Sequence, residues 1–106
     1  MDNDTIVAEG ASGLEYTFSI YPWGTEFQKK GGVYMVLKKK GQNNDYAILY
    51  VGQTGDLSER FDSHNKKPCF DRNGKTHIAI LLESFELNRF SIENDLIRSY
   101  NPVCNF

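Results

Sequence analysis

The chain is poor in residues that staple a fold or ligate metals. Its two cysteines, Cys69 and Cys104, are too few for a disulfide framework and lack zinc-type spacing. They read as small buried thiols. The two histidines, His64 and His77, form no HxxxH pair, which again disfavours zinc. No apolar run approaches the ~20 residues of a membrane span, so no membrane partner is expected. The N-terminal MDNDTIVAEGASGLE is acidic and polar, unlike a signal or transit peptide, and a cytoplasmic chain is the expectation. Positive charge is not in excess either, since the net charge is −2. The distribution says more than the total. Between Gln28 and His77 stand ten Lys or Arg and five acids, while the rest has two Arg and nine acids. The middle can therefore carry a basic surface on an acidic protein, with Lys38, Lys39, Lys40, Lys66 and Lys67 as its candidates. Lys-rich solvated loops would give the same count.

What is present suits one compact domain. A length of 106 residues holds one core and not two. Residues 1–14 read as a flexible tail, leaving 15–106 as a single domain. Glu15 to Trp23 is aromatic-rich and compatible with one extra N-terminal strand ended at Pro22. Gly32–Lys38 reads as a buried strand, residues 39–45 as a turn, and Tyr46–Gly52 as its antiparallel partner. A register that sets Lys38 against Tyr46 places Tyr34 opposite Tyr50. Asp56 suits the N-cap of a helix over Leu57–Asn65, and Lys66–Lys75, with Pro68 and Gly74, reads as a loop. Thr76–Glu83 is apolar on both faces, as a central strand would be. A last helix runs over Asn88–Tyr100 and stops before Pro102. The expected fold is α+β: a small, mainly antiparallel three-stranded central sheet flanked by helices.

Three placements sit awkwardly with packing alone. On the last helix, Phe90, Leu96, Ile97 and Tyr100 define an apolar stripe, and Glu93 falls within it. A carboxylate there is costly unless it is paired or binds a cation. On the preceding helix, Leu57, Arg60, Phe61 and His64 share a face. An Asp56–Arg60 ion pair explains the arginine, and so does a site beside the sheet. Tyr34 and Tyr50 are either a cross-strand packing pair or two functional hydroxyls. The glycines Gly52 and Gly55 match neither a P-loop nor a dinucleotide fingerprint, so they read as a strand-to-helix joint.

Together these residues resemble the GIY-YIG nuclease family. Gly32-Val33-Tyr34 is similar to the first family motif and Tyr50-Val51-Gly52 to the second, with Val for Ile in both. QTGDLSERFDSH resembles the segment that carries the family's Arg and downstream His. IENDLIRSYNPVCN resembles the Glu helix and terminal Asn. The resemblance runs from Gly32 to Asn105 and implies an endonuclease core that hydrolyses DNA phosphodiesters with one divalent cation, Mg2+ or Mn2+. It implies Glu93 as metal ligand, Tyr34 as the tyrosine that helps deprotonate water, and Tyr50 beside the scissile phosphate. Arg60 is implied to stabilise the phosphoryl charge, His64 to assist proton transfer, and Asn105 to close the site. Arg suits that task through its planar fork. Which of Tyr34 and His64 takes the proton stays open, because His64 has the more convenient pKa. Gln53 stands where some members carry a basic residue, so a charged phosphate contact is absent there, and Gln53 joins the five lysines as a nucleic-acid-binding candidate. The short chain and acidic ends imply help from an accessory protein or a second copy. Two other readings compete with a DNA endonuclease. One is a catalytically inactive nucleic-acid-binding module of the same fold, and the other is a protein-interaction adaptor using the N-terminal aromatic segment.

Overall fold

The computed structural model describes residues 4–42, 45–59 and 61–106. Five strands form one sheet: β1 (Thr5–Glu9), β2 (Glu15–Pro22), β3 (Gly32–Lys39), β4 (Tyr46–Thr54) and β5 (His77–Leu82), in the order β1-β2-β5-β3-β4. Every neighbouring pair is antiparallel. Two helices complete the fold, α1 (Lys67–Arg72) and α2 (Glu86–Tyr100). The α+β class stands, but the sheet has five strands and not three. Both extra strands come from the N-terminal segment. Within the stretch expected to be a loose tail, Thr5–Glu9 alternates Ile6 and Ala8 inward with exposed Thr5, Val7 and Glu9. The turn back into β2 uses Gly13 at φ 91°, a conformation that glycine adopts without steric cost.

The alternation along β3 explains its continuous apolar run. Val33, Met35 and Leu37 face one side, with Phe18, Ala79 and the α2 residue Leu96. Tyr34 and Val36 face the other, where Ile78, Ile80, Leu57 and Phe70 cover them. β5 lies between β2 and β3, which is the central place its apolar character predicts.

The β3–β4 register differs from expectation. Tyr34 pairs with Gly52 and Val36 with Tyr50; the next pair is Leu37 with Ile48. Leu49 is therefore the extra residue of a β-bulge. The bulge turns both Leu49 and Tyr50 toward the side that carries Val36 and Phe70. Tyr34 and Tyr50 stay on one face but sit diagonally, with ring centroids 6.0 Å apart. Of the turn expected between these strands, residues 43 and 44 lie outside the described residues. Its ends are closed by Lys40 N–H donating to Asp45 O at 2.7 Å.

The helices also shift. Among the described residues of the segment after Asp56 the helical element is one 3-10 turn, Phe61–Ser63. The Asp56 carboxylate accepts the Ser58 N–H at 2.9 Å, so the capping signal closes a local turn and starts no α-helix. The α-helix forms instead at Lys67–Arg72, where a loop was expected. Pro68 sits in its first turn, the place where a missing N–H costs nothing. On α2 the expected stripe is wrong at both ends: Phe90 and Tyr100 are 47% and 40% exposed, while Leu96 is fully buried. The inward face is Arg89, Ile92, Glu93, Leu96 and Ile97, the side of the helix that packs on β4 and β3. No helix among the described residues is long and apolar enough to cross a membrane.

Cys69 and Cys104 are joined as a disulfide, with Cα atoms 5.9 Å apart, and are not free thiols. Helix α1 brings Cys69 inward beside Phe70, and the segment after Pro102 folds back over β4 to meet it. The bond closes a loop of 35 residues. Loops of this length stabilise by about 2–4 kcal/mol. The Cys69→Ala/Cys104→Ala variant should therefore unfold at lower urea than the oxidised wild type, and equal midpoints would contradict a structural role for the bond.

Candidate active site

The site begins at Gly52. A Cβ built there would lie 2.6 Å from the Tyr34 ring and hydroxyl and 2.8 Å from Tyr50 Cε2. Only glycine lets both rings rest on the β4 backbone. Around this point the fold brings in His64, and the charge of Glu93 acts on both rings. His64 Nε2 lies 2.9 Å from Tyr34 Oη, and its ring centroid is 5.1 Å from that of Tyr50. Phe61 meets Tyr34 edge-on at 4.9 Å, and Phe70 backs His64 at 5.2 Å. These aromatics exclude water from the tyrosine pair and leave Tyr34 only 5% exposed.

Burial sets the protonation states. It pushes Tyr34 far above the ordinary tyrosine value, reinforced by Tyr50 and by the negative charge of Glu93. Tyr50 is raised for the same reasons, burial first and Glu93 second, against a lowering hydrogen bond with Tyr34. Burial and then the charge of Lys66 hold His64 below the ordinary histidine value. Glu93 is raised by burial, opposed by the backbone N–H of Gln53. Tyr34, Tyr50 and Glu93 therefore form one electrostatic unit, with His64 hydrogen-bonded to its edge at Tyr34. Arg60 lies outside the described residues.

The remaining sequence candidates sit around this unit. Asn105 is on the outer edge of β4, where its Oδ1 accepts the Val51 N–H and its Nδ2 donates to Val51 O, both at 2.9 Å. It extends the sheet by one amide between Tyr50 and Gly52. Lys66 Nζ donates to Phe106 O at 2.6 Å and covers the Phe106 ring at 3.5 Å. Lys67 pairs with Asp71 at 2.8 Å. Lys38 and Lys40 are exposed near the far end of β3, with Lys39 half-buried between them. Gln53 accepts the Arg89 Nε–H at 2.9 Å.

Residues 30–105 match the family of the GIY-YIG catalytic domain. The chain belongs to the GIY-YIG family. Neither the curated proteins nor the solved structures gave a match. Strands β1 and β2 precede the matched segment and widen the GIY-YIG sheet on the β5 side.

Arg89 escaped the sequence reading. It is the one buried charged residue among the described residues, 7% exposed. Its Nη1 donates to Ser84 O at 2.9 Å and Glu83 O at 3.2 Å, tying the β5–α2 loop to Gln53 of β4. The signal for it was its spacing: Arg89 stands four before Glu93 and seven before Leu96, on the buried face of α2.

No group of three His, Cys, Asp or Glu side chains among the described residues is placed to hold a metal. The carboxylate whose charge acts on both tyrosines is that of Glu93. That carboxylate fits an Mg2+-type cation, which keeps several waters and takes one or two carboxylates plus substrate phosphates. The burial that disfavours the charged carboxylate also means that a cation would relieve the penalty.

That penalty gives a test. Glu93 binds its proton more tightly in the folded chain, so its contribution to stability falls as pH rises from the ordinary carboxyl value through the raised one. Glu93→Gln removes the loss. Without added metal, its Tm should exceed that of the wild type at pH 7 and match it well below the ordinary Glu value. A lower Tm at both pH values would contradict this account.

Proposed function

We propose that this GIY-YIG domain is a divalent-cation-dependent endonuclease that hydrolyses DNA phosphodiester bonds. The observation that carries the reading is the meeting of Tyr34 and Tyr50 at Gly52, with His64 bonded to Tyr34 and the charge of Glu93 acting on both tyrosines. Two tyrosines, a histidine and a carboxylate acting on one another are costly as packing and useful as a site.

In this reading Glu93 holds Mg2+ or Mn2+. A bound cation neutralises charge on the phosphoryl oxygens and makes water more acidic. Tyr34 and Tyr50 orient the attacking water and the scissile phosphate through their hydroxyls. Arg60 binds the phosphate through its guanidinium. Asn105 acts one step back: it holds the β4 edge flat between Tyr50 and Gly52. Lys38, Lys39 and Lys40 supply the salt-sensitive attraction for the DNA backbone, while Lys66 and Lys67, already engaged, contribute less. An accessory protein or a second copy supplies target choice. A cytoplasmic site of action belongs to the same reading.

One observation favours the non-catalytic alternative. Tyr34 is almost closed off from solvent and strongly biased toward its neutral form, which is poor preparation for a base. A nicking assay on supercoiled plasmid with Mg2+ or Mn2+ separates the two. Cleavage is expected, with Glu93→Gln and Tyr34→Phe each slowing it by about 100-fold or more. Retained, salt-sensitive DNA binding with no cleavage across duplex, branched and single-stranded substrates would instead support a binding module.

A further inference from the structure

His64 makes two hydrogen bonds whose directions can be worked out. The main-chain N–H of Lys66 lies 3.0 Å from His64 Nδ1. A backbone N–H can only donate, so Nδ1 must present its lone pair. A neutral imidazole with an accepting Nδ1 carries its proton on Nε2. Nε2 is the atom 2.9 Å from Tyr34 Oη, so this bond runs from His64 to Tyr34.

We propose that His64 is a fixed hydrogen-bond donor that anchors the Tyr34 oxygen, with its tautomer set by the Lys66 amide, and that it is not the base that removes the Tyr34 proton. The consequence for rate rests on the nuclease reading; the tautomer does not.

The surroundings leave the ring little choice. Lys66 is held from both ends, since its carbonyl accepts the Cys69 N–H at 2.9 Å and the Phe70 N–H at 3.1 Å in the first turn of α1. The backbone of His64 is tied on either side: its N–H donates to Phe61 O at 3.1 Å and its carbonyl accepts the Lys67 N–H at 3.0 Å. A flipped ring would present carbon to both Lys66 and Tyr34 and lose both bonds. Protonating Nδ1 would set two donors face to face, and burial already lowers the basicity of the ring. Tyr34 receives a hydrogen bond from His64, so its own proton points elsewhere. The Tyr50 ring is the neighbour on that side, its centroid 6.0 Å from that of Tyr34. The hydrogen bond therefore runs from His64 Nε2–H to Tyr34 Oη. When Tyr34 gives up its proton, the Nε2 proton stays on His64 and stabilises the phenolate.

Nitrogen-15 NMR of the labelled full-length chain at pH 7 reads the tautomer directly, and His77→Asn assigns the two rings. The expected result is a neutral His64 with Nδ1 bare and Nε2 protonated; an Nδ1–H tautomer or a charged ring would overturn the proposal. Plasmid nicking supplies the second arm. Gln can donate an amide N–H near the place of Nε2 but cannot take a proton at neutral pH. His64→Gln should keep cleavage within about tenfold of wild type, while His64→Ala loses about 100-fold, the scale of a lost acid–base or anchoring group. If His64→Gln falls as far as His64→Ala, with both variants folded by circular dichroism, the donor role is wrong. A wild type that cleaves nothing would defeat the nuclease reading and leave the NMR result to decide the tautomer.

Discussion

The contact of two tyrosine rings with the bare Cα of Gly52 governs the rest of the site. It requires β3 and β4 to approach with Tyr34 opposite the glycine and Tyr50 two residues earlier on the same strand. It also requires Tyr50 to turn toward Tyr34, which the bulge at Leu49 accomplishes. Any side chain at position 52 would drive the rings apart and open the water-excluded space on which every shifted protonation state depends.

The supporting structure serves that contact from two directions. From one side, the 3-10 turn and α1 bring Phe61, His64 and Phe70 against the tyrosines. From the other, the C-terminal segment clips β4: Cys104 N–H donates to the bulged Leu49 O at 2.9 Å, and Asn105 takes both backbone groups of Val51. The Cys69–Cys104 bond joins these two supports covalently. Glu93 approaches from α2, where the Gln53 backbone N–H meets its carboxylate and its charge acts on both tyrosines.

Much of this was legible in the sequence, and the failures have physical causes. β3, β4 and β5 declared themselves because strands buried on both faces are continuous apolar runs. Gly52, Tyr34, Tyr50, His64 and Glu93 stood out as motif residues, or as polar groups on apolar faces. β1 escaped because five residues of weak alternation in a polar stretch mean nothing until β2 pairs with them and with β5. The misplaced helix came from reading Asp56 as a cap and Pro68 as a breaker, when the one closes a turn and the other occupies a first helical turn. The register slipped because a bulge has no local signature, and the disulfide was invisible because only the tertiary fold brings positions 69 and 104 together. Arg89 was missed as a surface charge; its burial follows from how α2 crosses the sheet.

The central claim is that Glu93, beside the paired tyrosines, is where a divalent cation is held for work on a phosphodiester. An anomalous difference map from crystals soaked in Mn2+ tests it most directly. The account predicts a peak in coordination contact with the Glu93 carboxylate, on the side facing Tyr34 and Tyr50, and its loss in Glu93→Gln crystals. A bound Mn2+ held elsewhere on the chain, or a Glu93 carboxylate locked in an ion pair with no metal at saturating Mn2+, would contradict it.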